Sequence, residues 1–424
     1  MSTGRTLLLA VDGLDTESLL GLRDGEACPH PLLTATSLAR ANPLTVHPGG
    51  PSEPPPALAS LITGASVART GIATAEPLPA DRPESRSTWY ARSMTAPTLF
   101  DQLRRQGRVT AALQWPATAG AAIDLCLPLV EDLRHYRNRW DMALSTSSAR
   151  MVREHLEPRR EAGVQLSQVP PDDLVAEIAA EALGRDRIDL LAARLSGLGA
   201  AHRAAGRDTA AVQRAMLDTA DALEQIVTAF SPADEDRVLL VPGRPLVPTA
   251  LLVHPNAALA AHGLLRTDGP RLDSFQALVW PDGPRGVVHV HRHEGPATRE
   301  AALAALRDLS THVRLSLRLV DDGVGATEQT DVIAVLEGGP GTVFGLSATH
   351  RPLVEGDDPY YAGPLMVSDP SAAAVALARG PGLPTTPAAG SWADLGVTLA
   401  RALGIELPGA TAHGMRAEAA AGTL

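Results

Sequence analysis

The chain contains no lysine, so its 37 Lys-plus-Arg positions are all arginine. A G+C-rich genome favours arginine codons, and the bias reads as coding usage. The charge balance points away from polyanions, because the formal net charge is −11 and the pI is near 5.6. An acidic chain of this kind is repelled by nucleic acid and by anionic membranes. Aromatic residues make up only 3%, which leaves Ala, Leu and Val to build the core. Two cysteines, Cys28 and Cys126, are too few for a disulfide framework and suit a reducing compartment. No stretch reaches the roughly 18 uncharged apolar residues of a membrane-spanning helix. The run Thr6–Val11 is too short for a secretory h-region, and no cleavage site follows it. The expectation is a cytoplasmic protein with no nucleic-acid and no membrane partner. Internal repeats, low-complexity arrays and Gly-rich phosphate loops are also absent.

What is present is an ordinary globular composition: 424 residues, 45% hydrophobic and 20% charged. That length accommodates one large α/β domain or two smaller ones. The apolar run Thr6-Leu-Leu-Leu-Ala-Val11 reads as a buried parallel strand. Asp12 follows at its C-terminal end, where open α/β sheets place their sites. Taken alone, such an Asp is more often a cap or turn residue. The chain is organised around Pro51-Ser-Glu-Pro-Pro-Pro-Ala-Leu-Ala-Ser-Leu-Ile-Thr-Gly64. Proline fits the first helical turn, where its missing N–H loses no partner. The run Ala57–Ile62 then makes a short buried helix, and Gly64 supplies the left-handed residue that ends it.

With Arg69-Thr-Gly-Ile72 behind it, this stretch resembles the nucleophile segment of the type I phosphodiesterase/nucleotide pyrophosphatase branch of the alkaline phosphatase superfamily. Those enzymes carry a Thr or Ser before the P-A-x-A-S run, activated by two metal ions. Here that position falls on Pro54, between Glu53 and Pro55, and proline has no hydroxyl. The resemblance implies a three-layer α/β sandwich over residues 1–424, with a mainly parallel central sheet, helices on both faces and a small inserted cap. Asp12, in V-D-G, matches the first metal-ligating Asp. Helix Ala96–Gly107, strand Arg108–Gln114 and Trp115-Pro116 also match. Residues 117–185 read as a helical insertion and 270–345 as the cap.

The remaining ligand positions are mostly substituted. His202 matches the His of the family's D-x-x-G-H, but the Asp falls on Leu198 or Gly199. The family's S-D-H-G falls on Val241, Pro242, Gly243 and Arg244. The last His, in G-x-H-G, has no counterpart; Asp369 is the nearest oxygen donor, beside Pro370, with His350 well upstream. Outside the resemblance, His289, His291 and His293 alternate along one strand and share a face. Three imidazoles could bind zinc; with no fourth ligand nearby, a polar strand face is the simpler reading.

Metal-assisted phosphoryl transfer needs a nucleophile and two cations about 4 Å apart. Asp12 and His202, with Asp369 as a third ligand at most, cannot hold two cations against water. The leading expectation is a catalytically degenerate relative that needs no cofactor. Its partner would be a protein or a phosphate-containing small molecule. The alternative is an active phosphoesterase with two divalent ions such as zinc and a site rebuilt from Ser52, Ser60, Thr63, Asp369 or the histidine strand. A metal-free reaction in the old cleft is a third reading.

Overall fold

Alternation along the first strand decides the architecture. In β1 (Thr6–Val11), Leu7, Leu9 and Val11 enter one core while Leu8 and Ala10 enter another. Successive strand side chains point to opposite faces, so a strand apolar throughout needs helices on both sides. The computed structural model describes residues 4–14, 16, 19, 41–48, 50–74, 88–131, 135–167, 170–207, 209–269, 271–320, 329–349, 354–355 and 363–417. Cys28 and His350 lie outside them.

The chain continues through β2 (Asn42–Val46), β3 (Thr110–Leu113), β4 (Leu125–Leu127), β5 (Leu190–Leu195) and β6 (Arg237–Pro242). A smaller unit follows, with β7 (Ala277–Asp282), β8 (Arg285–His291), β9 (Leu315–Leu319) and β10 (Thr330–Gly338). The chain then returns with β11 (Ala374–Arg379), β12 (Ala388–Gly390) and β13 (Arg416–Ala417). The nine-stranded main sheet has the order β13-β12-β2-β11-β6-β1-β5-β3-β4. β11 is antiparallel to both neighbours and β13 to β12, and the remaining pairs are parallel. This is the mainly parallel α/β sandwich expected from the sequence. One expectation needs correcting. The segment 117–185 is not wholly helical, because β4 extends the sheet edge beside β3. Three residues are too short a run to show a period.

The helices that position the site are α1 (Pro54–Thr63), α2 (Leu99–Arg105), α3 (Asp172–Arg185), α4 (Gly197–Ala205), α5 (Ala210–Phe230), α6 (Pro296–His312) and α7 (Trp392–Leu403). α3 and α5 cover one face of the main sheet, and α1, α2 and α7 cover the other. Gly64 ends α1 in the left-handed region at φ 62°, its N–H bonded to the Ser60 carbonyl at 2.9 Å. Capping boxes start α2 at Thr98 and Asp101, and α7 at Ser391 and Asp394.

α7 crosses α1 backbone to backbone. A Cβ built on Gly396 would lie 2.0 Å from the Leu61 carbonyl oxygen. Gly396→Ala is therefore expected to cost about 2–3 kcal/mol, because two packed helices must separate. Urea unfolding measures it, and a midpoint within error of wild type would refute the close crossing.

In the smaller unit the sheet order is β7-β8-β10-β9, all antiparallel, with α6 against one face. Among the described residues, no helix is long and apolar enough to cross a membrane.

Candidate functional site

The site forms at the C-terminal ends of β1, β5 and β6, as parallel sheets require. Ala10 pairs with Arg194 and Val11 with Leu195. Alternation places Arg194 on the α1 side of the sheet, and Asp12, one residue beyond β1, projects to the same side. The two meet. Arg194 donates from Nε to Asp12 Oδ1 at 3.3 Å, and its Nη2 donates to Oδ2. Their side chains are 9% and 4% exposed, so the pair is held in low dielectric. Both oxygens of the first candidate ligand therefore serve a fixed guanidinium. The sequence signal for this was a lone charge in the otherwise apolar strand Leu190–Leu195, which the motif comparison passed over.

The loop before α1 is held from the smaller unit. Ser52 donates its N–H and hydroxyl to Asp282 Oδ1, at 2.5 and 2.7 Å. Arg285 donates to Asp282 Oδ2 and also to the Gly50 carbonyl, the latter at 2.6 Å. Arg244 Nε donates to the Pro51 carbonyl at 3.1 Å. The 230-residue separation of Ser52 from Asp282 left this clasp without a local signal. Pro54 opens α1 behind Glu53, whose side chain makes no capping bond. What is left of the centre, between Asp12, Ser52, Pro54, Gly243 and Trp392, is a void of about 10 Å³. That is barely room for one water molecule.

The other positions are dispersed or apolar. Leu198 is fully buried in the core shared with α3 and α5. Pro242 ends β6, and Gly243 donates its N–H to the Val11 carbonyl at 2.8 Å. A Cβ on Gly243 would lie 3.0 Å from the Gly13 nitrogen, so a His there would need the Gly13 backbone to give by a few tenths of an ångström. His202 lies buried on α4, its Nδ1 3.3 Å from the Gly206 carbonyl. Asp369 accepts from the Ser371 N–H and hydroxyl at 2.8 and 2.6 Å, closing its own turn. Asp172, unremarked in the sequence, accepts from the Ser196 N–H at 2.9 Å and the Gly197 N–H at 3.1 Å. It anchors the start of α4 where the family has ligand-bearing chain, and burial raises its carboxyl above the ordinary range. In the smaller unit, β8 keeps its alternation but ends at His291, where Glu294 donates its N–H to the His291 carbonyl, so His293 lies beyond the strand. His289 and His291 are buried while the His293 side chain is 71% exposed. His289 Nδ1 lies 3.0 Å from Thr330 Oγ1, and His291 stacks on Phe275.

The profile of the type I phosphodiesterase/nucleotide pyrophosphatase family matches residues 6–241. The chain belongs to that family. Its fold is that of human ectonucleotide pyrophosphatase/phosphodiesterase 5, with TM-score 0.57 at 13% identity over 98% of this chain and 97% of the other. An inactive variant of the murine protein in complex with AMP gives TM-score 0.56 at 12% identity, covering 95% and 96%. The murine protein itself gives 0.55 at 12%, covering 95% of each chain. No curated protein matches by sequence.

Family membership implies two metal ions, and the donors present do not fit them. Asp12 is spent on Arg194, and Leu198, Pro242 and Gly243 have no donor atoms in their side chains. Among the described residues, no three His, Cys, Asp or Glu side chains are grouped to hold a metal.

Proposed function

We propose that this chain is a catalytically degenerate member of its family, retained for binding or scaffolding. The observation that supports the reading best is the Arg194 guanidinium seated on Asp12. It is a fixed positive charge on a carboxylate that the family's chemistry needs for a cation. Pro54 contributes no hydroxyl, and the void beside it is smaller than a phosphoryl group. The hydroxyls available for a rebuilt nucleophile are spent or enclosed. Ser52 donates to Asp282, Thr63 Oγ1 donates to the Ala59 carbonyl at 2.7 Å, and Ser60 is 3% exposed. Without metals or nucleophile, the charge neutralisation that carries most phosphoryl transfer is missing.

The test is thermal unfolding with zinc, manganese or magnesium, beside elemental analysis of the purified protein. The melting midpoint is expected to stay unchanged. An ion held at a hundred times its Kd would add about 2.7 kcal/mol. About two ions per chain, with a midpoint rise that His202→Ala removes, would overturn the reading.

A further inference from the structure

On the second face of the smaller unit's sheet, Val287 and Val335 lie outside the core that Trp280 and Leu278 still join. Val288, Val290, Ala334 and Leu336 pack with α6. Across the opposite face, Trp280 pairs with Val287, Val287 with Val335, and Val335 with Arg318, forming one cross-strand row. Val287 and Val335 are not part of the cap core. This row lines a cavity of about 280 Å³, and Glu53 and Ala73 of the main domain line it from the other side.

The charged groups around the cavity are matched, with one exception. Arg285 is bonded to Asp282 and to the Gly50 carbonyl, and Arg318 lies 3.6 Å from Glu337. Burial pushes the His289 imidazole down to about 4, so it is neutral. Glu53 makes no hydrogen bond or ion pair among the described residues. It lines the cavity and is exposed there, and the protein packed around it raises its carboxyl, with Arg203 the main opposing influence. Its side chain is exposed at the cavity, and a cation entering beside it would favour the charged carboxylate.

We propose that this cavity is a ligand site for a small organic cation, an ammonium or amidinium on an apolar frame. Its charge meets Glu53, and its frame lies against the Trp280–Val287–Val335 row. An anion is disfavoured beside Glu53, because Arg285 is engaged by Asp282 and the Gly50 carbonyl and Arg318 lies 3.6 Å from Glu337. The proposal rests on the reading of the chain as a binding protein, and it moves the binding site from the closed centre to the space under the cap.

The probes are benzamidine, its uncharged isostere benzamide, and benzoate, titrated against the full chain by ligand-observed NMR and calorimetry. Benzamidine is expected to bind tightest. Glu53→Gln should weaken it roughly tenfold or more, the worth of one charge-assisted hydrogen bond. Ala73→Trp, which fills the cavity from its wall, should abolish binding while circular dichroism and melting stay as in wild type. Benzamide or benzoate binding as tightly, benzamidine binding unmoved by both substitutions, or no binding at millimolar concentration would overturn the proposal. Metal-dependent phosphodiester turnover alongside the expected binding pattern would sink the degenerate reading alone. Absent turnover with no benzamidine binding would sink this proposal alone.

Discussion

Asp12→Ala is expected to cost about 3–5 kcal/mol of folding stability, far more than an exposed charge deletion. The substitution leaves Arg194 as a buried cation facing a void. Both partners are almost wholly enclosed, and the guanidinium holds the carboxylate through two hydrogen bonds. Truncating one member of such a pair leaves the other's desolvation uncompensated. Replacing both is a different matter, since an apolar pair of similar volume is often neutral or stabilising. Asp12→Val with Arg194→Met should therefore recover most of the loss. Urea unfolding of the two single variants and the double variant yields the coupling energy. The wild-type pair should also be insensitive to salt, which screens exposed pairs far more than buried ones. A loss below about 1 kcal/mol for Asp12→Ala, the range of exposed pairs, would mean that water reaches the pair. Asp12 would then be available to a metal after all.

The fold was legible because its signals are local and strong. A fully apolar strand, a triple proline leading into a helix, and Gly64 at a helix end each predict one conformation, and each forms as predicted. The ordering of motifs along the chain carried the family assignment, which the profile match over residues 6–241 confirms. The candidate site was legible only in the negative, as side chains that lack donor atoms. That Pro54, Leu198, Pro242 and Gly243 carry no side-chain donor can be read from the sequence alone. The contacts that occupy this region were not readable, since they act over long separations. Arg194 reaches Asp12 across 182 positions, and Asp282 reaches Ser52 across 230. Neither pairing has a sequence period or motif. In the histidine strand, Val288 and Val290 turn into the core as alternation predicts, but the strand ends at His291, an end that period-2 counting cannot place.

Turnover of bis-p-nitrophenyl phosphate and p-nitrophenyl phosphate is expected to remain at background with zinc, manganese or magnesium, and Pro54→Thr is expected to leave it there. A hydroxyl at position 54 would open α1 beside a void of about 10 Å³, with no cation to lower its pKa. Nor does the ligand set return one residue at a time. Leu198→Asp would place a carboxylate at a fully buried position in the main core, where it destabilises before it coordinates. Gly243→His would crowd the Asp12–Gly13 turn, whose nitrogen would sit 3.0 Å from the new Cβ and must give by a few tenths of an ångström. Arg194 would still hold Asp12 through all of these changes. Losing linked members of a catalytic constellation costs on the order of a millionfold in kcat, so partial repair leaves nothing measurable above background. The assay compares wild type with Asp12→Asn, which keeps the side-chain shape, and His202→Ala. Metal-dependent turnover in wild type that both substitutions abolish would show a working centre built on Asp12 and His202. Turnover that neither substitution touches would place the chemistry outside this centre, and the His289–His291 segment of the cap would be the next target.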